Sequence, residues 1–288
     1  MSNEYLLAPG HRGCAGCCDA IAAKFVLEAI GSDCVVCSPT FTTPYPESSW
    51  KVPWIHSLFD NAGAIAAGME TALKAMGKKG DTKVVVIAGD GATFDIGLQC
   101  ISGAFERGHD IVYICIDNEA YMNTGVQRSA ATPMFASTTT SPSGSASYGN
   151  PTLKKDMPAI LAAHGSPYVA TASISYAPDF IRKVKKAAST GGPTYVQVHA
   201  PCCTGWGFEG SKTIEIGRLA VETALMPLYE MEGREITRVK KIKNRKPVDE
   251  YLRMQKRFSH LFSDGNGQGV IRKIQDTADW NVEYYGLE

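Results

Sequence analysis

Residues 82–128, TKVVVIAGDGATFDIGLQCISGAFERGHDIVYICIDNEAYMNTGVQR, decide how the rest of the chain is read. A short apolar run over 84–88 is followed by Gly89-Asp90-Gly91, a turn that neither a strand nor a helix interior accommodates easily. Ile96, Leu98, Ile101, Ala104 and Phe105 then predict a helix over 94–107, ended by Gly108. A second apolar run, 111–116, leads into Asp117-Asn118. The pattern is strand, turn, helix, strand: a βαβ unit with a phosphate-suited turn after its first strand.

The chemistry follows from residue types. A Gly-Asp-Gly turn exposes backbone N–H groups near a helix start, where anions bind well. Asp90 is a hard oxygen ligand, suited to Mg²⁺ rather than Zn²⁺. Asn118 offers a second oxygen after the next strand, and parallel strands finish on one edge, so the two can meet. The implied site holds a diphosphate through one metal ion. It is not a dinucleotide fingerprint, because the third glycine of G-x-G-x-x-G would fall at Phe94, and there is no P-loop lysine. A lone GDG is most often an ordinary turn; the helix, strand and asparagine that follow turn the reading towards a cofactor.

The GDG and the asparagine about thirty residues on resemble the thiamine diphosphate motif. The longer run GDGATFDIG…DNEAYMNTGVQRS…TPMF…TTTSP resembles the β subunit of pyruvate:ferredoxin oxidoreductase (pyruvate synthase) and its 2-oxoacid relatives, over residues 10–261. The resemblance implies thiamine diphosphate bound through Gly89, Asp90, Gly91, Ala92, Asn118, Ala120, Tyr121 and Asn123. It also implies Mg²⁺ on Asp90, Asn118 and the Ala120 carbonyl, with Asn123 as the catalytic asparagine and Gln127 and Arg128 supporting its loop.

Nine cysteines in a chain with no visible signal peptide read as ligands or buried thiols rather than disulfides. Cys14 and Cys17 form C-x-x-C with Gly16 easing the turn; alone this is a thiol pair or half a zinc site. Cys34 and Cys37 follow on a strand-like run, and Cys202 and Cys203 lie in HAPCCTGW. Four thiolates suit zinc or an iron–sulfur cluster. The resemblance selects a 4Fe–4S cluster on Cys14, Cys17, Cys37 and Cys202, near the thiamine ring. The chain departs from the family around the third and fourth ligands, which leaves Cys34 as a rival to Cys37 and Cys203 as a rival to Cys202. Cys18, Cys100 and Cys115 read as structural.

Elsewhere, residues 43–46 with Trp50 and Trp54 read as a rigid packed loop. A small-residue helix opened by residues 59–64 and running to about 76 suits a subunit interface, a cofactor-facing helix or a tightly packed internal one. Residues 131–152 read by composition as a loop and, by resemblance, as an ordered segment near the active site or a subunit contact. A short helix over 154–163, strands over 168–172 and 194–199, and helices over 177–188 and 215–228 complete the α/β pattern. The histidines share no metal spacing. Residues 234–246 are basic and read as a solvated hairpin or edge, with ferredoxin docking the weaker alternative. Residues 247–288 are expected to be helical and to wrap a neighbouring subunit.

Lys plus Arg and Asp plus Glu are both 29 in 288 residues, which argues against nucleic acid or an anionic membrane as a partner. No run approaches the roughly 20 apolar residues of a membrane span, so a cytoplasmic protein is expected. The expected fold is α/β, a mainly parallel twisted sheet with helices on both faces (the thiamine diphosphate-binding fold). The expected division is a cofactor domain with the cluster ligands, 1–230, and a C-terminal extension with subunit contacts, 231–288. The resemblance implies CoA-dependent oxidative decarboxylation of a 2-oxoacid, pyruvate first, with electrons passed singly to ferredoxin. Oxalate, phenylglyoxylate and branched-chain acids are the alternatives, as is a thiamine decarboxylase without electron transfer. Partner subunits of the α, γ and δ type are expected to complete the pyrimidine and substrate pockets, since no glutamate motif for the aminopyrimidine is found here.

Overall fold

A computed structural model describes residues 5–11, 13–39, 49–263 and 267–288. The loop expected over residues 43–46, and the 40–42 segment before it, lie outside the described residues. An eight-stranded sheet runs through the molecule. Its parallel part is made of β1 (Cys34–Pro39), β2 (Trp54–Ser57), β3 (Lys83–Gly89) and β4 (Ile111–Asp117), a small separate hairpin β5 (Ser143–Gly144) and β6 (Ser147–Tyr148) intervening before β7 (Tyr168–Ser173) and β8 (Thr194–His199). β9 (Tyr229–Glu232) and β10 (Glu235–Val239) extend it antiparallel, giving the order β10-β9-β7-β8-β4-β3-β1-β2.

The central strands read as unbroken apolar runs because both faces are covered. Val85, Ile87, Val112, Ile114 and Ile116 pack on one side under α1 (Cys18–Ile30). Val84, Val86, Ala88, Ile111, Tyr113 and Cys115 pack on the other under α2 (Ala62–Ala75), α3 (Leu98–Glu106) and α4 (Met157–Ala163). α5 (Ala177–Ser189) joins α1 on the first face, with Phe25 and Phe180 edge to face at 6.1 Å. The small residues of α2 serve internal packing on at least one face: a Cβ on Gly63 would lie 3.0 Å from the Cys100 backbone on α3.

Several expectations shift in detail. The helix expected over 94–107 is broken in two. A π-helical turn spans Gly91–Asp95, α3 starts only at Leu98, and Gly97 is pressed so closely on Ala92 that a Cβ there would lie 2.0 Å from its carbonyl oxygen. Residues 131–152 carry the β5–β6 hairpin and are tied down by buried Asn150, whose side chain donates to the Thr132 and Thr152 carbonyls at 2.8 and 2.9 Å. After the short α6 (Cys203–Trp206), the helix expected over 215–228 runs as α7, Thr213–Glu222, and ends before Ala224, which sits at φ 62°. The basic stretch begins in the expected edge hairpin, β9 with β10. The tail forms α8 (Val248–Arg253) and α9 (Gln268–Tyr285), which pack on this chain's own α7 through Leu219, Ala220, Tyr251, Leu252, Ile271 and Ile274. The boundary expected between 230 and 231 falls within β9.

Candidate functional site

The site lies where β3 and β4 end. The two strands run parallel with Gly89 opposite Ile116, so Asp90 and Asn118 emerge side by side. One terminal atom of the Asn118 carboxamide lies 2.9 Å from Asp90 Oδ1 and 2.9 Å from the Ala120 carbonyl oxygen. As a nitrogen it donates to both. Turned over, it places a third oxygen there, and cis oxygens about 2.9 Å apart are what octahedral metal–oxygen bonds of about 2.1 Å produce. The Asn118 amide therefore stands from each of the other two donors named from the sequence at a spacing that fits Mg²⁺. A cleft of about 70 Å³ opens beside them, lined by Gly89, Asp90, Gly91, Asn118, Ala120, Tyr121, Met122 and Asn123, with Phe59 and Thr124. Ala92 is buried in the π turn next to it, and Asn123 is exposed at its mouth.

Asp90 is 1 % exposed, and its Oδ2 accepts from the Ser129 hydroxyl. Burial, then the charge of Asp117, pushes this carboxyl well above its usual range. A divalent cation is the charge that would keep it ionised. Behind Asn118 lies a buried ionic network. Lys154 Nζ donates to Asp117 Oδ2 at 2.6 Å and Glu119 Oε1 at 2.9 Å, and Arg257 donates to Glu119 Oε2 at 2.7 Å. Burial alone would raise the Glu119 pKa; Lys154 and then Arg257 outweigh it and bring it to about 2. Glu119 sits at φ 68°, a conformation worth about 1 kcal/mol of strain in a non-glycine residue. The ion pairs hold it there, with the Thr132 hydroxyl donating to its carbonyl at 2.7 Å.

Cys14, Cys17, Cys18, Cys202 and Cys203 gather elsewhere on the same sheet edge. The C-x-x-C turn closes through the Cys17 N–H onto the Cys14 carbonyl at 3.0 Å. It is pressed against the loop after α6: a Cβ on Gly16, at φ 75°, would lie 2.2 Å from the Gly210 carbonyl oxygen. This brings Thr204 Oγ1 to donate to Cys14 Sγ at 3.5 Å. Cys202 sits against the Cys18 thiol, whose hydrogen bond, with that of the Gly205 N–H at 3.3 Å, lowers the Cys202 pKa against the opposing effect of burial. Cys14, Cys17 and Cys202 are thus neighbours. Cys37 is not with them: it is fully buried on the α2 face of β1, with its thiol donating to the Ala62 carbonyl at 3.5 Å. Cys34 lies at the amino end of β1, the opposite edge of the sheet, and its thiol donates to the Gly31 carbonyl at 3.4 Å. Among the described residues, no three His, Cys, Asp or Glu side chains close around a single ion.

Residues 30–198 match the family described as "Thiamine pyrophosphate enzyme, C-terminal TPP binding domain". The "Pyruvate synthase subunit PorB" of Methanosarcina barkeri is 63 % identical over 287 residues, covering 98 % of this chain and 97 % of that one. The chain belongs to the pyruvate synthase β-subunit family. It is an oxidoreductase subunit of the 2-oxoacid:ferredoxin class. The "Ketoisovalerate oxidoreductase subunit VorB" of Pyrococcus furiosus is 46 % identical over 263 residues, 88 % of this chain and 85 % of that one. Among solved structures, a chain of the 2-oxoglutarate:ferredoxin oxidoreductase from Magnetococcus marinus shares the fold, with a TM-score of 0.61, 23 % identity, and coverage of 71 % of this chain and 70 % of that one.

Within this family frame, sequence reading named the residues around Asp90 but not those that hold them. Ser129, Lys154, Arg257 and Trp206 carry no spacing signal, since they lie 35 to 138 residues from the partners they bond and only folding makes them neighbours. Trp206 is the most informative. Its Nε1–H donates to the Asn118 carbonyl at 2.8 Å, and Arg257 lies over its ring at 3.6 Å. Gln127 and Arg128 do brace the loop: the Tyr121 N–H donates to the Gln127 carbonyl at 2.9 Å, and Arg128 Nη2 donates to Thr152 Oγ1 at 2.7 Å.

Gly91 has a specific role. A Cβ there would lie 2.3 Å from the Tyr121 ring, whose hydroxyl donates to Asp95 Oδ2 at 2.9 Å. Gly91→Ala is expected to displace Tyr121 and weaken thiamine diphosphate binding roughly 10- to 100-fold, with the assembled complex intact. Fluorescence titration of cofactor into the apo-complex measures this.

Proposed function

We propose that this chain is the thiamine diphosphate-, Mg²⁺- and 4Fe–4S-binding subunit of a pyruvate synthase. With its partner subunits it carries out reversible CoA-dependent oxidative decarboxylation of pyruvate to acetyl-CoA and CO₂ and passes the electrons to ferredoxin. The observation that carries the reading is the meeting of Asp90, the Asn118 amide and the Ala120 carbonyl at 2.9 Å separations beside the Gly89–Gly91 turn. When bound, thiamine diphosphate supplies the carbanion chemistry and the cluster supplies one-electron steps. This chain's residues do the rest. Asp90, Asn118 and Ala120 hold the metal, the GDG backbone receives the diphosphate, and Asn123 stands at the cleft mouth towards the substrate.

The thiol group lies close to that cleft. Met122, which lines the cleft, packs so tightly on Gly205 that a Cβ there would lie 2.1 Å from its sulfur, and Gly205 donates to Cys202. Cys14, Cys17 and Cys202 are the cluster ligands this reading requires. A cleft of about 70 Å³ is far below the roughly 300 Å³ or more of an ordinary cofactor pocket. Partner subunits therefore complete the pyrimidine and substrate pockets, and the isolated chain is expected to show no turnover. Pyruvate is the favoured acid because the Methanosarcina barkeri relative bears that name at 63 % identity; a branched-chain acid is the alternative. No helix among the described residues is long and apolar enough to cross a membrane, which accords with a cytoplasmic complex.

The test is viologen reduction by the purified multi-subunit complex across a panel of 2-oxoacids. Reduction that needs both pyruvate and CoA is expected. Preference for another acid would change the substrate, and silence with every acid would overturn the function.

A further inference from the structure

The reading just given calls for four thiolates from this chain, and the fold brings together only three of those named from the sequence. All nine cysteines lie among the described residues. Two elements that are distant in sequence supply the thiols at the site: Cys14, Cys17 and Cys18 at the start of α1, and Cys202 and Cys203 at the start of α6.

We propose that Cys203, and not Cys37, is the fourth ligand of the 4Fe–4S cluster, with Cys14, Cys17 and Cys202 as the other three. The inference rests on the proposed function. Cys203 faces the C-x-x-C turn: its thiol donates to the carbonyl of Ala15, between Cys14 and Cys17, at 3.5 Å. Thr204 Oγ1 lies 3.9 Å from Cys203 Sγ and 3.5 Å from Cys14 Sγ. The hydroxyl thus stands between the two sulfurs, on the surface where a cluster would seat. Two thiolates on one zinc ion, with Zn–S bonds of about 2.3 Å, approach within about 4 Å. A cluster presents four separate irons, each taking one thiolate, and tolerates a wider ring of sulfurs. Cys203 and Cys14 flank one hydroxyl and Cys202 adjoins Cys203 in sequence, while no three of these side chains close on a single ion.

The competing cysteines are excluded on position. Cys37 points from β1 into the core beneath α2, whereas its neighbours Cys34 and Val36 point to the α1 side. No rotamer carries a thiol across the sheet. Cys34 is the first residue of the six in β1, at the wrong end of the strand. Cys18 is the nearest rival, but it is 1 % exposed and its sulfur lies 3.4 Å from the Asp19 carboxylate. Its thiol donates to that carboxylate, and the residue packs in the core on the α1 side of the sheet rather than beside the Thr204 hydroxyl that Cys14 and Cys203 flank. Gly16 makes the arrangement possible, since only a residue without a Cβ lets the C-x-x-C turn approach Gly210.

The test compares iron content and the EPR spectrum of anaerobically purified complexes carrying Cys203→Ala, Cys37→Ala, Cys34→Ala or Cys18→Ala. Cys203→Ala should lose at least a quarter of the iron assigned to this subunit and show either a three-iron signal when oxidised or no cluster signal. The other three should keep wild-type iron. Retention of iron in Cys203→Ala, or its loss in Cys37→Ala, Cys34→Ala or Cys18→Ala with Cys203→Ala unaffected, overturns the assignment. A wild-type complex in which this subunit binds no iron removes the functional reading itself and is told apart by that result. Should Cys203→Ala fail to assemble, the wild-type complex serves. Alkylation followed by mass mapping should modify Cys203 only after iron is chelated, and modification of Cys203 in the intact complex overturns the proposal.

Discussion

Asp90→Asn is expected to abolish pyruvate-dependent viologen reduction while making the cofactor-free complex more stable. The side chain is the one carboxylate among the three proposed metal donors, and its loss should lower thiamine diphosphate–Mg²⁺ affinity on the order of 100-fold or more. The stability effect has the opposite sign for a physical reason. Asp90 is 1 % exposed, and burial with the nearby Asp117 charge disfavours its ionised form. The neutral amide removes that penalty, so a gain of about 1 kcal/mol or more is expected in thermal scans of apo-complex. Added cofactor should raise the melting temperature of wild type and leave the variant unmoved. Unchanged cofactor affinity in Asp90→Asn would remove the metal site from β3 and β4 altogether.

Arg257→Met carries the largest expected loss of stability. Arg257 and Glu119 are each 6 % exposed and joined at 2.7 Å, and Arg257 also covers Trp206. Removing the cation leaves Glu119 with Lys154 alone, and breaking a buried pair in this way costs about 3–5 kcal/mol. The double variant Arg257→Met/Glu119→Gln should recover much of that loss, because the stranded charge is gone. The pH dependence has a defined sign. In the native fold Lys154 and Arg257 outweigh burial and hold Glu119 at about 2, below its ordinary 4.5. A carboxylate with a depressed folded pKa contributes stability that is complete above the ordinary value and is lost as pH falls towards 2. Arg257→Met should move that acid-induced loss to higher pH. Urea unfolding at several pH values measures both effects; equal stability of wild type and Arg257→Met at neutral pH would show the pair to be inert. Glu119 flanks Asn118, so weaker cofactor binding should accompany the change.

The cleft beside Asp90 and Asn118 was legible in the sequence because its parts are local. A strand, a GDG turn, a helix and a second strand lie within about forty residues, and parallel pairing places their carboxyl ends together whatever the rest of the chain does. The helix after the turn was only half legible. Periodicity marks apolar positions but cannot see that Gly97 meets the Ala92 carbonyl and splits the segment into a π turn and α3. The tail was read as helical and as wrapping a neighbouring subunit; its helices α8 and α9 bury an apolar face with α7 of the same chain, a contact that the tail's own residues do not name.

Residue order by itself thus determined the α/β class, the meeting of Asp90 and Asn118 at one sheet edge, and the presence of cysteines in two distant motifs. These depend on strand direction and residue chemistry, which are properties of short segments. Tertiary structure alone decided which thiols meet and what clamps the Asn118 loop. Cys37 matches a motif yet faces the α2 core, while Cys203 reaches Ala15 from 188 residues away. Ser129, Lys154, Trp206 and Arg257 likewise meet Asp90 and residues 117–119 only in the fold. Side-chain direction across a sheet alternates with every residue, so a thiol's face is fixed by the register and packing of the whole sheet, which no spacing between motifs records.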